Sequence, residues 1–311
     1  MKQFLEDTLN GLQSTPKRLS SRYFYDAAGD AIFQEIMAMP EYYLPGCERE
    51  IIQTKTAEIA ATLGNNLPLE VVELGAGDGT KTACFLSELS RHAPLAGYFP
   101  LDISANILEE NRQNIKGVLP NLAVNPVAGN YFETFPPQRR GSVKRLNLFL
   151  GSNIGNFTAQ QTHQFFEWMK QNMQPGDALL VAFDLKKNPE IILAAYNDAA
   201  GITARFNLNL LARINRELGA NFSINQFMHW PNYNPASGQA ESYIISLKKQ
   251  TVHFAGGQEI VFEANEPIHT EISKKYSLAE IEEISTNNGF NCRHFLDAKS
   301  YYTLSLFTIN G

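Results

Sequence analysis

Val71-Val72-Glu73-Leu74-Gly75-Ala76-Gly77-Asp78-Gly79-Thr80 decides the fold of this chain. Leu69 to Leu74 is a short apolar run of buried-strand composition, and three alternating glycines follow directly. Lys81, Thr82, Ala83, Phe85 and Leu86 then supply helix formers at helical apolar spacing. Glycine belongs where the backbone takes unusual dihedrals or lets a ligand approach closely. A strand, glycine turn and helix therefore predict an α/β sheet with a nucleotide-like ligand at the strand's carboxyl end. The spacing departs from the dinucleotide fingerprint, because Thr80 stands where its third glycine belongs. A plain strand-to-helix corner is the alternative reading of the turn taken alone.

Outward from this unit, strand and helix patterns alternate. Tyr98 to Ser104 predicts a second strand, with Asp102 where α/β folds place a carboxylate for ribose hydroxyls. An N-cap for the helix Ala105 to Asn111 is the competing role of Asp102. Leu122 to Val127, Leu146 to Leu150 and Asp177 to Asp184 predict three more strands. Asn130-Tyr131 after the third offers a polar and an aromatic side chain to an adenine ring. Gly151-Ser152-Asn153-Ile154-Gly155-Asn156 after the fourth reads as a binding loop. Helices are expected from about Glu48 to Leu63, from Gln160 to Met173, and from about Pro189 to Ala200, the last carrying Tyr196.

From Gly201 to about Pro267 a helix, Phe206 to Leu218, gives way to short antiparallel strands, which marks a second domain. Leu278 to Asn288 is helical and ends at Gly289, and Phe290 to Leu296 with Tyr301 to Ile309 forms a terminal hairpin. At the other end, residues 1 to 20 read as polar and loosely attached. Asp30 reads as the cap of a helix whose apolar face is Ile32, Phe33, Ile36 and Met37.

The chain has 311 residues, enough for one large domain or two modest ones. A net charge of −6 without a basic block argues against nucleic acid as a partner. Cys47, Cys84 and Cys292 are widely spaced, with no Cys-x-x-Cys, and read as reduced structural thiols. No metal site is expected. The start lacks the apolar core of a signal peptide, and no run reaches membrane-spanning length. A cytoplasmic, monomeric protein with no membrane partner is expected.

The Glu-x-Gly-x-Gly-x-Gly pattern at Glu73 resembles motif I of class I S-adenosylmethionine (SAM) methyltransferases. Further stretches resemble one family, the ergothioneine-pathway L-histidine Nα-methyltransferases. They are Phe24-Tyr25-Asp26 with Gly29, Pro40-Glu41-Tyr42-Tyr43, Leu150 to Asn156, Asp184-Leu185-Lys186-Lys187 with Ala195-Tyr196-Asn197-Asp198, and Thr270-Glu271-Ile272-Ser273. The resemblance runs from about residue 20 to the end.

It implies a Rossmann-like doubly wound sheet with a terminal antiparallel strand and a smaller α+β substrate domain. The implied SAM domain is 57–196 with 278–311, and the substrate domain 20–56 with 197–277. The resemblance implies trimethylation of the α-amine of histidine to hercynine, with SAM as cofactor. Gly75, Gly77, Lys81 and Asp102, with Asn130 and Tyr131, then hold SAM. Asn156 and Tyr196 hold the substrate carboxylate, Glu271 and Ser273 the imidazole, and Tyr25, Phe33 and Tyr42 wall the amine. Gly151 contributes backbone, and Tyr25, Asn156 and Tyr196 form the catalytic set. The family has Asp-Phe where this chain has Asn130-Tyr131, and methionine facing the imidazole where Ser242 stands.

The residues suit that chemistry. Methyl transfer to an amine is an in-line displacement that needs a free lone pair and alignment, and positioning supplies roughly 7 to 11 kcal/mol of such barriers. Glu271 and Ser273 stand two apart, so on an extended segment they face one side. Taken without the resemblance, Glu271 reads as a solvated surface carboxylate. Two rivals stand beside what the resemblance implies: a methyltransferase for another amino acid or amine, and a SAM-binding protein without turnover.

Overall fold

The computed structural model describes residues 2–64, 67–136 and 143–309. In chain order, α1 (Lys2–Gln13), β1 (Lys17–Arg18), α2 (Ala27–Met37) and α3 (Leu44–Leu63) come first. Alternation follows through β2 (Leu69–Leu74), α4 (Thr80–Leu89), β3 (Leu95–Asp102), α5 (Ala105–Val118), β4 (Val127–Ala128) and α6 (Tyr131–Thr134). It continues with β5 (Lys144–Phe149), α7 (Ala159–Gln171), β6 (Ala178–Asp184) and α8 (Pro189–Tyr196). Then come α9 (Ile202–Leu218), β7 (Phe227–Asn234), β8 (Gln239–Ser246), β9 (Gln250–His253), β10 (Glu259–Phe262) and β11 (Pro267–Lys274). The chain ends with α10 (Leu278–Asn288), β12 (Phe290–Leu296) and β13 (Tyr302–Ile309).

Packing divides these elements into two compact units. One is Leu44–Leu185 with Tyr276–Gly311, and the other is Met1–Tyr43 with Lys186–Lys275. The division moves the boundaries expected at 57 and 197, each for a physical reason. Helix α3 buries Ile51, Ile52 and Ile59 in the first unit, so its start at Leu44 replaces the expected boundary at 57. Helix α8 packs Ile192, Ala195 and Tyr196 with Ala240 of β8, which assigns it to the second unit.

The first unit is a seven-stranded sheet of order β12-β13-β6-β5-β2-β3-β4. It is parallel except for β13, which runs antiparallel to both β12 and β6. This is the expected Rossmann-like class I sheet with its terminal antiparallel strand. Strands β2 and β6 are buried at every residue, as central parallel strands covered on both faces must be. From β2 the order runs to β3 and β4 on one side and to β5 and β6 on the other. The carboxyl ends of β2 and β5 therefore form the topological switch point, where open α/β sheets bind ligands. The third predicted strand, Leu122 to Val127, is shorter than expected. Pro126 has no N–H for a ladder, and only β4 and one bridge between Tyr98 and Val124 form.

The second unit holds a four-stranded sheet of order β1-β11-β8-β7 and the β9–β10 hairpin. Helix α9 lays Phe206, Leu210, Leu211, Ile214 and Leu218 into a core with Phe24, Ile36, Ile244 and Ile268. The first twenty residues are not loose. Phe4 and Leu12 of α1 and the following Leu19 are buried in this core, and β1 pairs with β11. Asp26, rather than Asp30, caps α2, its Oδ1 accepting from Gly29 N–H at 2.7 Å. Gly29 has no room for a side chain, since a Cβ there would lie 1.9 Å from the Phe24 carbonyl oxygen.

Arg145 of β5 and Glu70 of β2 are register partners with 4% and 1% exposure. Arg145 Nε donates to Glu70 Oε1 at 2.9 Å, and a second guanidinium nitrogen donates to the Pro136 carbonyl at 2.9 Å. Removing one partner takes from a buried charge the opposite charge that it faces. Arg145→Met should cost about 3 to 5 kcal/mol in urea unfolding at pH 7. Adding Glu70→Leu should recover most of that loss. A single-variant loss below about 1 kcal/mol would mean that the pair is solvated.

Candidate active site

At the carboxyl end of β2, Gly75, Gly77 and Gly79 all have positive φ, at 69°, 54° and 72°. A Cβ added at Gly77 would meet nothing within 4 Å, so the turn offers bare, accessible backbone there. At Gly79 the space beneath is filled, and a Cβ would lie 2.6 Å from the Asn111 side chain. Asn111 is completely buried and donates to the Gly77 carbonyl at 3.1 Å and the Tyr98 hydroxyl at 3.3 Å. Tyr98 in turn donates to Glu73, which also accepts from Thr82 at 2.8 Å. Burial pushes the Glu73 carboxyl up to about 7 despite these donors. A buried polar stack thus props up a turn that is open above.

Asp102 ends β3 beside this turn. Its Oδ2 accepts from Gly77 N–H and its Oδ1 from Ser104 N–H, both at 3.1 Å. The competing N-cap role falls to Ser104, which accepts from Ile107 N–H at the start of α5. Open glycine backbone with a carboxylate at the next strand end fits an adenosine-bearing group such as SAM.

Lys81 is engaged by Glu48 of α3, at 2.6 Å from Oε2. Glu48 is 2% exposed, and its Oε1 also accepts from Gly151 N–H at 2.9 Å and the Tyr302 hydroxyl at 3.3 Å. The amide of Gly151 is therefore occupied within its own unit. Asn130 caps α6 by accepting from Phe132 N–H at 3.2 Å. Tyr131 packs on Phe149 and Trp168, and burial raises its phenol to about 12. Asn156 ends a short 3-10 turn, Asn153–Asn156, with its side chain exposed.

In the second unit, Glu271 and Ser273 lie on β11 opposite Ser242 and Ala240 of β8. A bulge between His269 and Glu271 inserts one residue, so Ile268 and Glu271 of β11 oppose Ile244 and Ser242 of β8. The extra residue is Thr270, whose hydroxyl is shared between Asn207 at 2.9 Å and the Ser242 carbonyl at 3.0 Å. In a regular strand of the same sequence, without the bulge, Glu271 would face the other way.

No described residue donates a hydrogen bond to the Glu271 carboxylate, and desolvation lifts it to about 7, against the opposing pull of Lys275. Ser242 is 1% exposed, with its hydroxyl unpartnered among the described residues. Ser273 accepts from the Tyr196 hydroxyl at 2.9 Å. Lys275, completely buried, donates to Ser273 at 2.9 Å and to the Tyr196 oxygen at 2.6 Å.

Three rings stand close together in the same unit. Tyr25 meets Phe33 and Phe206 edge-on at 5.5 and 5.7 Å, and Phe33 lies 5.8 Å from Phe206. Tyr42 packs against the Ile192, Ala195 and Tyr196 cluster, while Tyr43 is pinned by Lys187 at 2.7 Å. Sequence reasoning missed Glu48, Asn111, Phe206 and Lys275. Of these, only Phe206 carried a signal, as the first apolar residue of the predicted helix Phe206 to Leu218.

The profile of a family described as "Histidine-specific methyltransferase, SAM-dependent" matches residues 4–309. A histidine N-alpha-methyltransferase of Mycobacterium tuberculosis is 35% identical over 302 residues, which is 96% of this chain and 93% of that protein. One of Mycolicibacterium smegmatis is 36% identical over 275 residues, 87% of this chain and 83% of that protein. An L-tryptophan methyltransferase of Psilocybe serbica is 27% identical over 330 residues, 97% of this chain and 92% of that protein.

The raised Glu271 carboxyl links stability to pH. Its folded value of about 7 exceeds an unfolded value of about 4.3, so protonation favours folding. That contribution is fully present below the unfolded value and is lost as pH rises through about 7. Glu271→Gln, neutral throughout, should gain stability over the parent, and the gain should grow by on the order of 1 to 3 kcal/mol between pH 5 and pH 8. Denaturant unfolding at the two pH values measures this. A flat difference would mean that Glu271 is fully hydrated.

Proposed function

The chain belongs to the histidine-specific, SAM-dependent methyltransferase family, and from that premise we propose that it methylates the α-amine of L-histidine with SAM. The product is the trimethylated betaine hercynine, in the first step of ergothioneine biosynthesis. The observation that carries the substrate assignment is the Glu271–Ser273 pair, a carboxylate without a donor beside a hydroxyl on one strand face.

Bound SAM supplies an electrophilic methyl on a sulfonium. Gly75 and Gly77 present backbone to it, Asp102 takes its ribose hydroxyls, Lys81 its charged end, and Asn130 with Tyr131 its adenine. Asn156 grips the substrate carboxylate with a neutral hydrogen bond, Tyr196, whose one hydroxyl proton goes to Ser273, lies beside it, and Gly151 contributes backbone at the amine. Glu271 accepts the ring N–H, Ser273 serves the second ring nitrogen, and Ser242 closes the ring pocket where a larger side chain is usual. Tyr25, Phe33 and Tyr42 surround the amine, and their faces stabilise the growing ammonium by about 0.5 to 2 kcal/mol.

Ser242 favours one rival, a related enzyme for another amino acid, because a smaller residue reshapes the ring pocket. A cytoplasmic monomer without nucleic-acid or membrane partners completes the reading. Among the described residues no helix is long and apolar enough to cross a membrane.

Glu271→Ala should raise KM for histidine by roughly one to two powers of ten, from loss of a charge-assisted bond worth about 1.5 to 3 kcal/mol. It should also relax rejection of tryptophan and phenylalanine, whereas Asn156→Ala should weaken every amino-acid substrate alike. The measurement is kcat/KM for the three amino acids on both variants. An intact histidine preference in Glu271→Ala would remove the histidine assignment.

Asp102→Ala should weaken SAM binding by about 1 to 3 kcal/mol in calorimetry. Unchanged affinity would take Asp102 out of the SAM site.

A further inference from the structure

Glu271, Ser273 and Lys275 alternate along one strand direction, so all three side chains project to the same side. Lys275 lies one residue past β11, where its backbone N–H donates to the Gly238 carbonyl at 2.7 Å, which fixes the strand's exit. A lysine with no exposure in the interior is unusual, and this one directs two donors at neighbouring hydroxyl oxygens.

A serine oxygen has two lone pairs and one proton. The Ser273 oxygen accepts from Lys275 Nζ at 2.9 Å and from the Tyr196 hydroxyl at 2.9 Å, so both lone pairs are taken. Its own O–H is the only function left for a ligand. An ammonium has no acceptor capacity, so the polarity of this bond cannot reverse. We propose that Lys275 is a specificity-determining positioning residue that locks Ser273 as a hydrogen-bond donor, so that Ser273 and Glu271 together select a ring with one bare nitrogen and one N–H. The inference rests on Glu271 and Ser273 being the ring contacts.

Without Lys275, the Ser273 oxygen regains a lone pair and its hydroxyl is free to rotate. The pocket then stops enforcing the bare nitrogen but still enforces the N–H through Glu271. A merely structural lysine would alter all substrates together.

The test uses full-length enzyme and histidine analogues that remove one ring function at a time. The 2- and 3-pyrrolylalanines keep an N–H and lack the bare nitrogen. The 4- and 5-thiazolylalanines keep the bare nitrogen and lack the N–H. The better isomer of each pair is compared with histidine by kcat/KM.

The parent enzyme should reject both classes by about a hundredfold or more, since each leaves a buried polar group unpaired. Lys275→Met should shrink the rejection of pyrrolylalanine at least tenfold and leave that of thiazolylalanine within about threefold. Lys275→Gln, which keeps one neutral donor, should fall between the parent and the methionine variant. If Lys275→Met moves both rejection factors together, or neither, the proposal is overturned.

Ser273→Ala and Glu271→Ala separate this outcome from failure of the ring-contact reading. Loss of pyrrolylalanine rejection in Ser273→Ala, with none in Lys275→Met, sinks the Lys275 inference alone. Unchanged factors in both alanine variants sink the reading beneath it. Should the lysine variants not fold, the parent enzyme still decides. Turnover of a pyrrolylalanine within about threefold of histidine would mean that Ser273 is not a fixed donor.

Discussion

Taking an ionised group out of water costs several kcal/mol unless fixed partners replace its hydration, and the carboxylates of this protein sort by how they meet that demand. Glu70 is held by the Arg145 guanidinium across the β2–β5 pair. Glu48 gathers Lys81, the Gly151 amide and the Tyr302 hydroxyl, joining a helix, a loop and the terminal strand. Glu73 receives its hydrogen bonds from two neutral hydroxyls, and its carboxyl rises to about 7. Glu271 receives no donor from any described residue and rises to about 7 as well. Three of these groups are accounted for by the fold. The fourth is left to solvent or to a ligand, and a carboxyl perturbed in this way is a candidate for a binding site.

The same demand explains why the glycine turn can remain open. Bare backbone facing a ligand must be supported from behind, since the turn's own hydrogen bonds do not close it. Asn111 of α5 supplies that support by reaching the Gly77 carbonyl, and its bulk requires Gly79 to be glycine. Tyr98 links Asn111 to Glu73, so the first residue of the sequence motif is tied to its centre through two other elements. With SAM at the proposed site, a change in this stack would act on its contacts without touching it.

Much of the sheet was legible because its signals are local. The apolar run Leu69 to Leu74, the alternating glycines and the terminal hairpin each sit within a few residues of one another, and strand-to-helix alternation sets the order. The partners of the functional side chains were not legible, because they come from far along the chain. Glu48 lies more than a hundred positions before Gly151, and its charge reads as solvated until the fold surrounds it. Lys275 is one lysine beside another in the sequence, and only the alternation of β11 separates buried Lys275 from half-buried Lys274. The bulge at Thr270 shows no signature at all, yet it determines which face Glu271 takes. Residues 1 to 20 misled through their polar composition, although Phe4 and Leu12 keep helical spacing.

In the proposed reaction, the ring contacts and the aromatic wall serve different stages of one problem. A donor at Ser273 and an acceptor at Glu271 match a neutral imidazole, because a protonated ring carries two N–H groups and Ser273 has no lone pair left for the second. Holding the ring neutral keeps a positive charge away from an amine that needs its lone pair. Each methyl transferred then removes an N–H, until the nitrogen is a permanent cation with no hydrogen to donate. Polar partners built for the starting amine would be left unpaired at that point. The ring faces of Tyr25 and Phe33, held by Phe206, lose nothing as hydrogens become methyls, and their attraction for the cation persists. Hydrogen bonds are therefore suited to the part of the substrate that stays constant, and aromatic surface to the part that changes.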